Sequence, residues 1–345
     1  MCAEANETDA ETDDRADRSA RRAIEAFCRL ARCNAHGARI ATLRDSRSRR
    51  TGRMGMMDER RALESIVASL PAAGDDAAVV GKNVLTTDML HASTDFPAET
   101  SRYTAGWRSV GASLSDVAAM GAEALAAVAA YSAPTFEEEE LSAFIAGAKD
   151  VCTTVGTEYV GGDLDAHEEF TVSTTGLGKC ENPVYRSGAQ PGDRVYLTGT
   201  LGRSAAALRL FDAGEIERAN DLFRFVPRVE TGVAIAPAAS AMMDVSDGLA
   251  RSAHQLAAAS DCGFALESPL PIDDRLKGLT DPGDARELST TFGEDFELLF
   301  TVPKEDIEAV ESTPLPVDVR PIGHVVEKGV TLDGDPLADR GYDHG

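Results

Sequence analysis

The stretch AMMDVSDGLARSAHQLAAAS, residues 241–260, contains an apolar run, a turn with two aspartates and a helical pattern. This order predicts a buried strand, a polar turn and then an amphipathic helix. Asp244 and Asp247 fall in the turn, where a carboxylate at the edge of a core is costly unless something pairs it. Arg251 is the nearest cation in the sequence, and one arginine poorly explains two charges. We therefore expect a metal ion at this turn.

The same order of strand, glycine turn and helix recurs along the chain. RVYLTGTLG at 194–202 predicts a strand, and SAAALRLFDAG at 204–214 predicts the helix after it. TTFGEDFELLFTVP at 290–303 predicts a strand that follows a glycine. Helices alternating with strands predict an α/β or α+β fold without a repeat of fixed period. We place a boundary between an N-terminal domain at 57–182 and a C-terminal α/β domain at 183–345.

The leading segment, residues 1–56, differs in composition from the rest. It holds twelve arginines, no lysine, nine acidic residues and three of the six cysteines. Little periodicity and few apolar residues predict that it is disordered, or an extension arising from a mistaken start, with the working protein beginning near Met57. A functional basic arm is the alternative. DERRALESIVASLP at 58–71 predicts the first amphipathic helix.

Charge and apolar content exclude several classes of protein. The 345 residues carry a net charge of −24, which argues against binding to nucleic acid or to an anionic membrane surface. No run of eighteen apolar residues is present and the N-terminus is polar, so we expect a cytoplasmic protein without a membrane span. The six cysteines form no CxxC pair, which favours reduced thiols. Only six lysines and the acidic balance suggest adaptation to concentrated salt.

Five short turns place aspartates beside glycine, serine or threonine at the ends of apolar segments. The turns are AAGDDAAVV with Asp75 and Asp76, LTTDML with Thr86, Thr87 and Asp88, SLSDVAAMG with Asp116, VGGDLD with Asp163, and MMDVSDG with Asp244 and Asp247. Each alone could be a helix cap or an Asx-turn. Together they supply the hard oxygen ligands that Mg²⁺ prefers, and no calcium loop of the DxDxDG type is present. No GxxxxGK[ST] loop occurs, so the predicted ligand is a magnesium–phosphate complex outside the P-loop class.

Seven motifs stand in the order found in one enzyme family. They are GDDAAVV, TTDML, ASLSDVAAMGAEA, VGGD, YRSGAQPGDRVYLTGTLGRSAAAL, MMDVSDGLA and GEDFELLFTV. The chain from residue 57 to 345 thereby resembles the thiamine-monophosphate kinase family, which belongs to a superfamily with aminoimidazole ribonucleotide synthetase and selenophosphate synthetase. The resemblance implies a two-domain synthetase-like fold. It also implies a homodimer formed through the N-terminal sheet, and an α/β C-terminal domain.

The resemblance also implies roles for individual residues. The positions matching the family's magnesium ligands are Asp76, Thr86, Thr87, Asp88, Asp116, Asp163, Asp244 and Asp247. The positions matching its nucleotide contacts are Gly162, Asp163, Arg186 and Ser246, and those matching its thiamine phosphate contacts are Asp95, Glu294 and Tyr342. Two positions depart from the family pattern. Asp95 stands where histidine is frequent, and Phe292 stands where a second glycine is frequent.

The implied reaction is transfer of a phosphate from ATP to thiamine monophosphate, the last step in making thiamine diphosphate, with several Mg²⁺ ions. The attacking phosphate has a second pKa of about 6 and is already anionic at neutral pH, so we expect no catalytic general base and a direct in-line transfer. Two alternatives stay open. One is another ATP-using member of the superfamily, of the purine-pathway ligase type. The other is a non-catalytic acidic protein that binds divalent cations.

Overall fold

The computed structural model describes residues 69–70 and 73–341. The leading segment 1–56, most of the helix predicted over 58–71, and Tyr342 lie outside these residues. Within the described part, no helix combines the length and apolar character that crossing a bilayer requires.

The first sheet has five strands in the order β1-β2-β5-β3-β4. They are β1 (Ala78–Val80), β2 (Asn83–His91), β3 (Glu123–Ala133), β4 (Tyr159–Ala166) and β5 (Thr171–Lys179). β3 and β4 run parallel, and the other neighbours are antiparallel. Side chains of β2 alternate between a buried face, with Val84 and Leu90, and an exposed face, with Leu85 and Met89. One face of this sheet is therefore covered, and the other is open in the single chain.

Helices α1 (Arg102–Ala119) and α2 (Glu138–Thr154) lie against each other and contribute to the covered side of the first sheet. α1 begins at Ser101, whose side chain accepts a hydrogen bond from the Thr104 N–H and caps the helix. Glycine allows the two helices to approach closely, because a Cβ on Gly106 would lie 2.1 Å from the Phe144 carbonyl oxygen.

The second sheet has seven strands in the order β12-β11-β8-β10-β6-β9-β7. They are β6 (Arg194–Thr198), β7 (Ala241–Asp244), β8 (Gly263–Leu266), β9 (Leu298–Val302), β10 (Val319–Val326), β11 (Val330–Leu332) and β12 (Asp335–Pro336). The remaining helices are α3 (Arg203–Asp212), α4 (Ile216–Phe223), α5 (Val229–Ile235), α6 (Leu249–Ser260), α7 (Asp274–Leu279), α8 (Pro282–Thr291) and α9 (Ile307–Ser312), with a 3₁₀ turn at Lys304–Asp306 before α9. The core on one face of the sheet includes residues of α6, and the core on the other face includes residues of α5 and α9.

The end of α1 packs against the second sheet as well as the first. Ala118 and Ala119 share a buried cluster with Tyr196 on β6 and Met242 on β7. Ala112, one and a half turns earlier, packs with Phe225 and Phe296. A single helix therefore belongs to two cores, and polar side chains on this part of α1 lie where the two sheets approach each other.

The structure confirms the predicted mixed α/β class and the strand–turn–helix order at 241–260. The predicted boundary near residues 180–188 falls between β5 and β6, and its status as a domain boundary stays a prediction. The strand predicted over 290–303 differs in its start, because β9 begins only at Leu298. Glu294 and Phe296 have φ angles of 62° and 53°, which are incompatible with an extended strand.

Candidate metal and nucleotide site

Three carboxylates meet where the two sheets approach each other. Asp76 precedes β1, Asp116 lies in the last turn of α1, and Asp244 ends β7. One carboxylate oxygen from each lies within 4.8 Å of the other two. We call Asp76, Asp116 and Asp244 the acid triad. Segments far apart in sequence thus deliver three like charges to one place, as the turn motifs predicted.

Neighbouring hydroxyl groups hold the carboxylates in place. Thr86 Oγ1 donates to Asp116 Oδ2 at 2.5 Å, and Ser113 Oγ donates to an oxygen of Asp88 at 2.6 Å. Thr86 and Asp88 are two residues apart on β2, so both side chains point to the face that α1 covers. Thr86 of the TTDML motif therefore holds Asp116, and Asp88 adds a fourth negative charge near the triad.

Burial and mutual repulsion make the triad expensive to ionise. The pKa of Asp116 is well above its usual range because of burial and then the charges of Asp88, Asp244 and Asp76. Burial, followed by the charge of Asp76, raises the pKa of Asp244 to about 8. Two neighbouring carboxylates with such raised pKa values are unusual outside functional sites. A positive charge placed between them would remove much of this cost.

Arg186 supplies the positive charge on one side. Its Nε and NH2 groups contact the two oxygens of Asp76 at 3.2 and 2.9 Å, and its backbone N–H donates to Asp75 at 2.7 Å. Although burial lowers the pKa of the guanidinium, the attraction of Asp76 outweighs it and the pKa is raised. The arginine side chain keeps 23% of its surface exposed, so it also faces solvent beside the triad. A nucleotide phosphate reaching the triad would meet this fork.

The donor set fits a magnesium ion. Asp244 Oδ2 is fully buried and has no hydrogen-bond partner among the described residues. Such an orphaned carboxylate oxygen is rare unless a ligand completes it. Apart from the Arg186 guanidinium, the side chains named around the triad are carboxylates or hydroxyls, which is the oxygen environment that Mg²⁺ prefers over softer ligands. The residues that would hold the ion are the acid triad, with Thr86 and Asp88 beside it.

Two further predicted positions belong to this neighbourhood. Ser246 lies two residues beyond Asp244, in the turn that leads to α6, and its carbonyl oxygen accepts a 2.6 Å hydrogen bond from the Glu294 N–H. Asp247 is half-buried in the same turn and is not among the three clustered carboxylates. Of the two aspartates between β7 and α6, only Asp244 thus belongs to the triad.

The structure does not bring Thr87, Gly162 and Asp163 to the triad. Thr87 points to the open face of the sheet and donates to the Thr174 carbonyl oxygen at 2.8 Å. Gly162 and Asp163 are on β4, at the opposite edge from β1. Three strand spacings separate β4 from β2, about 14 Å. The five turns were expected to form a single cluster, but within this chain the VGGD turn lies apart from the others. The roles of the VGGD residues stay predictions.

The predicted substrate contacts Asp95 and Glu294 lie near Arg108, about two turns of α1 before Asp116; we call this junction of the two sheets, from the triad to Arg108, the cleft. Asp95 follows β2, and its Oδ2 accepts hydrogen bonds from the His91 N–H and the Thr94 hydroxyl, both at 2.7 Å. Glu294 pairs with Arg108 on α1. The charge of Asp95 also acts on the Arg108 guanidinium, so the two acidic positions are near one cation. Tyr342 is outside the described residues.

Sequence reasoning missed Arg108 and Ser113. Both lie on α1 ahead of Asp116, and Arg108 is two turns before it. The sequence does contain a sign that Arg108 is special, because it is the only charged residue between Arg102 and Asp116 in a helix of mostly small and apolar residues. An arginine in such a position is buried and needs partners from other elements. Those partners came from the end of α4 and from the loop that holds Glu294, whose positions the sequence did not reveal.

Comparisons with known proteins agree with this architecture. Residues 74–180 match the family model described as AIR synthase related protein, N-terminal domain, and residues 190–334 match the corresponding C-terminal domain. The thiamine-monophosphate kinase of Halobacterium salinarum is 60% identical over 291 residues, which cover 84% of this chain and 100% of that protein. The thiamine-monophosphate kinase of Methanospirillum hungatei is 42% identical over 301 residues, covering 84% and 99% of the two chains.

A solved structure has the same arrangement of elements. It is described as AaThiL complexed with AMPPCP and TMP, and it matches this chain with a TM-score of 0.77 at 30% identity. The match covers 86% of this chain and 99% of the other. The similarity in fold thus extends over most of this chain.

Proposed function

The chain belongs to the thiamine-monophosphate kinase family of AIR synthase related proteins, and from this we infer that it transfers a phosphate from ATP to thiamine monophosphate. The products are ADP and thiamine diphosphate. The observation that carries this inference is the 60% identity over the full length of the Halobacterium salinarum kinase. The acid triad supports it independently, since phosphoryl transfer between two anions needs concentrated positive charge, which carboxylates recruit as metal ions.

Magnesium is the proposed metal, held by Asp76, Asp116 and Asp244 with Thr86 and Asp88 nearby. When bound there, Mg²⁺ would neutralise charge on the phosphates of both substrates. The unpartnered Oδ2 of Asp244 and the raised pKa values of Asp116 and Asp244 support a cation at this place. Asp163 and Asp247 remain proposed ligands on the resemblance alone.

The chain's own residues would bind and orient the two phosphorylated molecules. Arg186 would donate to the nucleotide phosphates while it keeps Asp76 in place through their paired contacts. Ser246, beside Asp244, and the pair Gly162 and Asp163 are the other proposed nucleotide contacts. Asp95, Glu294 and Tyr342 are the proposed contacts to thiamine monophosphate. An aligned, already anionic acceptor phosphate needs no side chain to remove a proton, so we propose direct in-line transfer.

A homodimer through the open face of the first sheet is part of the proposal. Leu85 and Met89 on β2 and Val80 on β1 are 42%, 58% and 60% exposed. An exposed group of apolar side chains on a sheet face is typical of a protein interface. Across the sheet, Asp163 pairs with Ala130, Ala130 with Ser173, and Ser173 with Met89. Paired residues point to the same side of a sheet, so Asp163 lies on the same open face as Met89. A second copy covering the face would therefore also cover Asp163.

The two rival functions predict different results. A ligase of the purine-pathway type would consume ATP with a different acceptor. A non-catalytic acidic protein would bind divalent cations without consuming ATP. The clustering of three acids at one point, with an arginine fork beside them, favours catalysis over a diffuse cation-binding surface.

The test is ATP-dependent conversion of thiamine monophosphate by the full-length protein, with and without Mg²⁺. We expect thiamine diphosphate and ADP in equal amounts, and loss of product when the metal is chelated. A panel containing free thiamine and a formylated amidine ribonucleotide separates the kinase from the ligase alternative. ATP hydrolysis without thiamine diphosphate formation would contradict the proposed function. A phosphorylated protein that forms and decays at the turnover rate would contradict direct transfer.

A further inference from the structure

Arg108 is buried in an aromatic environment at the substrate end of the cleft. Its side chain is 1% exposed. Its guanidinium carbon lies 3.6 Å from the ring centre of Phe223, 5.2 Å from that of Phe225 and 5.6 Å from that of Phe296. Stacking on these rings fixes the plane of the guanidinium.

The hydrogen bonds of Arg108 run to the end of α4 and to the loop before β9, both in the second half of the chain. NH1 donates to the Phe223 carbonyl oxygen at 2.5 Å, and NH2 donates to Glu294 Oε2. Nε is buried and has no partner among the described residues. A buried arginine with an unsatisfied donor is costly, and replacing a buried ion pair by apolar residues of similar size often leaves the free energy of unfolding unchanged or raises it. Stability alone therefore does not explain an arginine here.

Glu294, the partner of Arg108, is held in a constrained loop. Its φ angle is 62°, which is unfavourable for a residue with a side chain. Its N–H donates to the Ser246 carbonyl oxygen at 2.6 Å, and its carbonyl oxygen accepts from Ser204 Oγ at 2.5 Å. The loop thereby joins Glu294 to the turn that carries Asp244. A strained backbone angle of this kind persists only where the surrounding structure holds the residue in that conformation, and such residues cluster at functional sites.

Only one of the two Glu294 carboxylate oxygens is used inside the protein. Oε2 accepts from Arg108, whereas Oε1 accepts no hydrogen bond from the described residues. The Glu294 side chain is 22% exposed, so it reaches the solvent side of the cleft. The contact from Arg108 NH2 to Oε2 therefore sets which carboxylate oxygen is directed outward.

We propose that Arg108 is a positioning residue for thiamine monophosphate, which holds the Glu294 carboxylate so that its second oxygen meets the cationic, amine-bearing part of the substrate. The inference rests on the proposed function, which supplies the substrate. Arg108 acts through Glu294 and touches no phosphate. Loss of Arg108 leaves Glu294 free to turn away or to hydrate, which weakens substrate binding while the acid triad and the nucleotide contacts stay intact.

The test uses the full-length protein with Arg108→Met, Arg108→Lys, Glu294→Gln and the Arg108→Met/Glu294→Gln double variant. Binding of thiamine monophosphate is measured by calorimetry, and KM for each substrate by turnover. We expect Arg108→Met to weaken thiamine monophosphate binding about tenfold, the value of one hydrogen bond to a charged group, with KM for ATP changed less than twofold. Arg108→Lys retains the charge without the fork and should recover part of the loss. In the Glu294→Gln background, Arg108→Met should add less than a twofold effect.

Arg203→Met is the matched control. Arg203 is half-buried and donates to carbonyl oxygens of the same segment, at Leu222 and Arg224, yet it does not pair with Glu294. Its loss should leave thiamine monophosphate binding within twofold of the wild type. Equal losses in the Arg108 and Arg203 variants, or full additivity with Glu294→Gln, would overturn the inference. A wild-type protein that binds no thiamine monophosphate would overturn the proposed function and this inference together. A wild type that binds, with Arg108→Met unchanged, would overturn the inference alone.

Discussion

Arg186 and Asp76 form a two-point ion pair across the cleft, with contacts of 3.2 and 2.9 Å to the two carboxylate oxygens. The pair is 110 residues apart in sequence. Arg186 compensates one acid of the triad through direct contact, whereas Asp116 and the buried Asp244 lie beside each other with raised pKa values. Among the described residues of the cleft, the need for a positive charge is thus greatest at these two carboxylates.

Replacement of Asp244 should separate catalysis from folding. Asp244→Asn removes a buried carboxyl group that is costly to ionise and keeps the shape of the side chain, so the midpoint of thermal unfolding without metal should be unchanged or higher. Turnover should fall at least about 100-fold because the metal loses a ligand. Thermal melts and initial rates measure both effects, and Asp212→Asn, at an exposed helix end, is the control. Retained activity in Asp244→Asn would remove this residue from the mechanism.

Magnesium should stabilise the protein even without substrates. An ion that binds only the folded state at 100 times its Kd adds about 2.7 kcal/mol to the free energy of unfolding. We expect the unfolding midpoint to rise with MgCl₂ and to stay lower in NaCl of equal ionic strength. The difference between the two salts should vanish in Asp244→Asn. An equal response of wild type and variant would place the bound ion elsewhere.

A charge on the open sheet face should break the proposed dimer. Met89 is 58% exposed on β2, and Met89→Glu would bury a carboxylate without a partner if a second copy covers it. Sedimentation should show a dimer for the wild type and a monomer for Met89→Glu. Leu279, 41% exposed at the end of α7, offers the control Leu279→Glu, which should stay dimeric. A wild type that sediments as a monomer would reject the dimer.

Salt should stabilise this chain more than it stabilises an average protein. The net charge of −24 destabilises the compact state through self-repulsion, and salt screens charges at a distance of about 10 Å at 0.1 M but about 3 Å at 1 M. The unfolding midpoint should therefore rise as KCl increases from 0.1 to 2 M. Variation of KCl at constant Mg²⁺ measures the effect. A midpoint that falls or stays level over this range would show that self-repulsion is not limiting.

The sequence revealed the chemistry of the cleft better than its geometry. Aspartates at the ends of apolar segments indicated oxygen ligands, and Asp76, Asp116 and Asp244 did come together. They lie before β1, in the last turn of α1 and at the end of β7, which meet at the same junction. Asp163 carried the same local pattern and did not join them, because strand order rather than sequence spacing determines which edge of the sheet a residue occupies. The role of Arg108 was equally invisible, since its partners Phe223 and Glu294 are 115 and 186 residues away.

Close contact between α1 and α2 should depend on the absence of side chains at their crossing. An added Cβ on Gly106 would lie 2.1 Å from the Phe144 carbonyl oxygen, which is backbone and cannot move aside as a flexible side chain can. Gly106→Ala should therefore separate the helices and lower the free energy of unfolding by about 1–3 kcal/mol.

Gly278, inside α7, has no atom within 4 Å of an added Cβ, and Gly278→Ala should instead stabilise by about 0.5–1 kcal/mol through helix propensity. Denaturant titration of both variants measures the expected decrease and increase in the free energy of unfolding. Because α1 carries Asp116 as well as Arg108, Gly106→Ala should also reduce the stabilisation by Mg²⁺. If it lowers stability while the response to Mg²⁺ stays that of the wild type, the helix crossing does not set the position of the triad.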